Sequence, residues 1–250
     1  MKPSQLRADA KAQAFMPKPK QVTAGDMLAG DQYARAEWQE RIAQGDAVLS
    51  RLAQVHKQYR DGHFSLSEAA SKRDPEMTPD AHFMAIRKLG QQSLERAAKA
   101  SDDARERAEA EISALRSAMQ TQLGLVENHR ASEVRSHLRS LSDVERSKVL
   151  QAAVADADAQ TIAAVVEAPA YLSGLTNEQA KAIRGQYEGK HASDKLGRIA
   201  VLEKAVAINR ETAMQALKFN SELLPSERAA EIEAKQKAAR AMRDRLNGAE

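Results

Sequence analysis

The chain has 250 residues, 42% hydrophobic and 29% charged, with 38 Lys and Arg against 35 Asp and Glu and no cysteine. A net charge of +3 excludes the large imbalance that keeps a chain of low apolar content unfolded, and the missing thiols exclude disulfides and thiolate chemistry. Leu, Ile, Val and Phe supply only 45 residues and aromatics only 4%, so alanine carries much of the apolar content as helix propensity rather than as core.

Residues 1–25 hold Pro3, Pro17, Pro19 and Gly25, which deny a long helix and predict an arm that is flexible or bound to a partner. Lys2, Arg7, Lys11, Lys18 and Lys20 face only Asp9 there, a surplus that implies at most weak nucleic-acid contact. The first fifteen residues lack the apolar run of a secretory signal, and no stretch approaches the ~20 apolar residues of a membrane helix, so no membrane insertion is expected.

From about Asp31 the pattern turns periodic. Trp38, Ile42, Leu49, Leu52, Val55 and Tyr59 recur at helical intervals and predict one amphipathic helix ending near Asp61-Gly62. Ser65-Leu66-Ser67-Glu68 has capping-box spacing and predicts a short second helix. Thr78-Pro79-Asp80 joins a hydroxyl cap, a proline whose missing N–H costs nothing and an acid suited to the helix dipole. The helix begun there is expected to run to about Ser140, with a break near Gly124 as the alternative. Its apolar positions, Leu94, Ala98, Ala108, Ile112, Leu115, Met119 and Val126, form a heptad-like seam.

Ser142-Asp143-Val144-Glu145 and Thr176-Asn177-Glu178-Gln179 are two further capping boxes, and Asp156-Ala157-Asp158 offers another start between them. The turn Ala168 to Leu175 carries Tyr171, Leu172 and Leu175, three side chains large enough to pack it into a helical corner. Gly185, Gly189 and Gly197 predict a loose stretch. A longer helix then runs to Leu224, where Pro225 stops it, and a last one covers Ser226 to Leu246 with few large apolar residues. No segment alternates with period two. The expected fold is all-α and extended, with long helices, coiled-coil-like packing and no sheet. It divides into an arm over 1–25, a long-helix region over 26–140, a helical bundle over 141–224 and a C-terminal helix over 225–250.

No chemical motif is complete. Gly185 to His191 falls one residue short of phosphate-loop spacing and ends in His where a magnesium ligand belongs. His129, Glu133 and His137 stand at i, i+4 and i+8, too far apart at the ends to close on one metal. No catalytic, cofactor or metal residue is therefore expected, and no small-molecule substrate. The residues expected to mediate interactions are Trp38, Ile42, Leu115, Met119, Pro169, Leu172 and Leu175.

The stretch Ala163-Ala164-Val165-Val166-Glu167-Ala168-Pro169-Ala170-Tyr171-Leu172-Ser173-Gly174-Leu175-Thr176, followed by a capped helix, resembles segments of helical proteins encoded by tailed bacteriophages. The Ala-, Gln- and Arg-rich helices around it are similar in style to phage internal core, ejection and scaffolding proteins. The resemblance implies a non-enzymatic structural component of a phage particle, made in the host cytoplasm and retained in the virion at the head interior or portal vertex. Its partners would be further copies of itself and other phage structural proteins. A transient scaffold or DNA-associated assembly factor is the alternative.

Overall fold

The computed structural model describes residues 33–126 and 128–248, and among them the regular structure is all helical, with no strand. Nine α-helices follow in order: α1 (Ala36–Ala43), α2 (Ala47–Ser71), α3 (Pro79–Leu123), α4 (Ala131–Ser140), α5 (Asp143–Ala155), α6 (Ala159–Val166), α7 (Asn177–His191), α8 (Ser193–Leu223) and α9 (Ser226–Asn247). A 3-10 turn, Ala170–Ser173, joins α6 to α7. The chain forms two compact units, one from Met1–Arg107 with Ala205–Glu250, the other from Ala108–Lys204. The arm expected over 1–25, with its basic residues, lies outside the described residues.

In the first unit the expected single helix through Trp38 and Tyr59 is two. Gly45 takes φ +91°, a left-handed conformation open to glycine, and Asp46 then caps α2 by accepting from the Leu49 amide at 2.9 Å. The adjacent glycine and acid mark a stop and a restart. Conversely, Asp61-Gly62 ends nothing and Ser65 begins nothing, because α2 runs on to Ser71. A Cβ at Gly62 would lie 3.0 Å from the Ser93 Oγ, so this glycine serves the close approach of α2 to α3. Packing there outweighs the ~1 kcal/mol propensity cost of glycine in a helix.

Thr78 starts α3 as expected, its hydroxyl accepting from the Ala81 amide. Phe83, Ile86, Leu223, Leu224, Ala229 and Ile232 form an apolar core where α3, the end of α8 and the start of α9 meet. Beside it, α2, α3 and α8 bury polar groups together. His56 Nδ1 lies 2.9 Å from Thr212 Oγ1, and Ser101 donates to Asn209 Oδ1. Tyr33 stacks on His56 and donates to the Ala205 carbonyl.

In the second unit α3 stops at Leu123 instead of continuing to Ser140. Gly124, at φ +60°, closes it in the left-handed conformation, and α4 is a separate helix of ten residues. Both capping boxes form with reciprocal bonds, at Ser142 with Glu145 and at Thr176 with Gln179. Asp158 caps α6 through the Gln160 and Thr161 amides. Ile162, Ala163, Ala164 and Val165 of α6 are wholly buried, and α4, α5 and α7 pack round this short helix. Gly185 and Gly189 belong to α7 and Gly197 to α8, so the stretch expected to be loose is helical.

Candidate functional site

A short helix buried among others leaves its last carbonyls without intrahelical partners, and burial denies them water. The second unit meets this with arginine. Arg135 donates to the Ala164 carbonyl, and Arg184 to the Val166 carbonyl and the Glu167 carboxylate. Arg139 places both Nε and Nη2 on the Leu172 carbonyl, at 3.0 and 2.6 Å. Arg146, 8% exposed, is the most deeply committed: Nε donates to the Leu138 carbonyl at 2.8 Å, Nη2 to Leu141 and Nη1 to Gly174.

One guanidinium thus ties the end of α4 to the turn after the 3-10 segment. Only a planar fork of five donors spans three carbonyls at once. Its ion pair with Asp143 adds little, since that carboxylate is 95% exposed. The turn fits the fork closely. Gly174 takes φ +70°, and a Cβ there would stand 3.0 Å from the Arg146 Cζ.

The result is a corner with a fixed main chain and a divided surface. Ala170 and Ser173 face inward and are buried, and Leu175 packs against Leu138, Leu150 and Val165. Pro169 is exposed, and the Tyr171 side chain, 71% exposed, points to solvent. Three main-chain bonds close the turn: Leu172 N to Pro169 O, Gly174 N to Tyr171 O and Leu175 N to Ala170 O. An exposed aromatic on so constrained a backbone loses little conformational freedom when it binds, which is how interface anchors gain affinity.

The residues expected to mediate interactions are scattered. Trp38 is 1% exposed and set edge-on to Tyr33 at 5.2 Å, inside the first unit; Ile42 is half-buried on α1. Leu115 and Met119 are half-buried on α3, Met119 against the core of Leu123, Val154 and Ile162. Pro169, Leu172 and Leu175 come together at the corner. Tyr171 and the four arginines were absent from the expected set. Tyr171 stands in the sequence between two expected residues, but a burial pattern is needed to show that it faces out. Arg146 follows a capping box with nothing in its spacing to mark it as buried.

Each unit also has a hollow of its own. A polar hollow between α5 and α7 has Asp143, Ser147, Gln151 and Gln186 at its edge, but Arg146, which borders it, is held by carbonyls. A groove along α2 and α3 sets Leu66, Ala69, Ile86 and Leu89 beside Asp61, Ser65, Ser93 and Arg96. His129 lies in the turn before α4, so it shares no helix with Glu133 and His137. Among the described residues no three His, Asp or Glu side chains converge on a metal position. No helix among them is long and apolar enough to cross a membrane.

Comparison with protein-family models, with curated proteins and with solved structures returns no match.

Proposed function

We propose that the protein is structural and non-enzymatic, acts by packing against further chains, and, on the resemblance of residues 163–176, is a component of a tailed-phage particle. The observation that carries the reading is the exposed Tyr171 on the arginine-held corner. The turn presents a proline and an aromatic, side chains suited to adhesion. The thin supply of large apolar residues agrees, since a chain poor in core gains stability from surface buried against neighbours.

The test is light scattering coupled to gel filtration on the wild-type chain and on Tyr171→Ala. The ring is 71% exposed, so its loss should change monomer stability by less than about 0.5 kcal/mol. An oligomer that dissociates at least tenfold more readily in the variant supports the reading. A monomer at all concentrations, or an oligomer indifferent to the substitution, overturns the role of the corner. Mass spectrometry of mature particles then separates a retained component from a transient scaffold.

A further inference from the structure

Ile232 is the last buried residue among those described, yet α9 continues as helix to Asn247, and every residue over 233–248 is exposed. A helix of that length with no buried face is marginal in water on propensity alone. Its composition is also distinct from the rest. Over 33–232 acidic residues outnumber basic ones by one, whereas 233–248 has Lys235, Lys237, Arg240, Arg243 and Arg245 against Glu233 and Asp244.

The placing of those five cations selects among polyanionic partners. At 3.6 residues per turn they fall about 60–80° apart around the axis, encircling it within a length of about 15 Å. A flat acidic surface, whether protein or membrane, meets a helix on one side and would leave most of such a ring in solvent. Apolar anchoring is slight, because the segment offers only Met242 and Leu246 among four alanines, against the Trp, Phe and Leu face of an interfacial helix. Self-association of α9 would bring like charges together. A groove walled by phosphates on both sides is the geometry that engages a ring of charge, and duplex nucleic acid provides it.

We propose that the C-terminal half of α9 is a nucleic-acid-binding helix that takes the phosphate walls of a duplex groove without sequence preference. The site belongs to the first unit and the Tyr171 corner to the second, and its function does not depend on oligomer formation.

The experiment is fluorescence anisotropy of a labelled random-sequence DNA duplex of thirty base pairs, titrated with the full-length protein from 50 to 200 mM salt. Three to five neutralised phosphates give a slope of log K against log salt of about −2.7 to −4.5. Replacing all five cations by glutamine keeps helix propensity, so circular dichroism should be unchanged while affinity at 50 mM falls at least tenfold and the slope shrinks toward zero. Met242→Gln with Leu246→Gln should bind within about twofold of wild type, and Arg240→Lys with Arg243→Lys should retain the slope. The proposal is overturned by equal binding of the five-glutamine variant, which would assign the contact to other basic residues, or by no binding at 50 mM. It is also overturned if helical polyglutamate competes as well as duplex DNA per unit charge, which would identify an acidic protein as the partner.

Discussion

Protonating His56 would create a charge in the interior of the first unit. The Thr212 hydroxyl gives its hydrogen to the Ile208 carbonyl at 2.8 Å, so toward His56 it can only accept, which fixes the proton of the neutral ring on Nδ1. The bare Nε2 is buried without a hydrogen-bond partner. Burial first, and the Arg60 charge second, lower the pKa of His56 to about 4. The unfolded chain therefore binds the proton at higher pH than the native one. The stability this site contributes is complete above the unfolded pKa of 6.5 and is lost as pH falls from there toward 4. Urea titrations at pH 7 and pH 5 should show the first unit less stable at the lower pH, with a slope that approaches about 1.4 kcal/mol per unit only below pH 6.5, and His56→Gln should flatten it.

Arg146 presents the opposite case, a charge that is buried and fully used. Arg146→Met keeps the aliphatic stem but strands the Leu138, Leu141 and Gly174 carbonyls, at an expected cost of about 3–5 kcal/mol read from thermal or urea unfolding. Neither residue could be weighted from the sequence. A histidine on an amphipathic helix and an arginine in the first turn of another are ordinary surface choices until partners distant in the chain enclose them. The partners here are Thr212 for His56, 156 residues away, and Gly174 for Arg146, 28 residues away.

Among the helices with side-chain caps, four were legible and α2, capped by Asp46, was not. Thr78, Ser142, Asp158 and Thr176 each bond the amides their spacing implies, because a cap is a local event settled within four residues. The glycines were less so, since the residue has three uses here and sequence does not separate them. At Gly45 and Gly124 it supplies positive φ and stops a helix; at Gly62 it admits a neighbouring helix. At Gly185, Gly189 and Gly197 it does neither: each lies inside a helix with nothing within 4 Å of a Cβ position. Alanine at any of these three should stabilise the second unit by about 0.5–1 kcal/mol, measured as a higher urea midpoint at unchanged m-value. The same substitution at Gly124 should destabilise it.

For the whole molecule, balanced charge over 33–232 removes long-range repulsion between copies, while the surplus is confined to the two ends. If the Tyr171 corner joins chains, assembly and stability are linked by mass action, and the thermal midpoint of the wild-type chain should rise with protein concentration while that of Tyr171→Ala does not. A concentration-independent midpoint in both would separate the corner from any assembly.

Composition and local pattern alone determined that the chain is helical, where most of its helices begin, and that no strand is expected, because propensity, capping and 3.6-residue periodicity act over a few neighbouring residues. Tertiary structure decided which glycines bend the chain, which arginines are structural, which way Tyr171 faces, and that α9 runs on beyond the last buried residue. Each of these depends on what lies beside a side chain in space, and contacts between residues far apart in sequence leave no periodic trace in it.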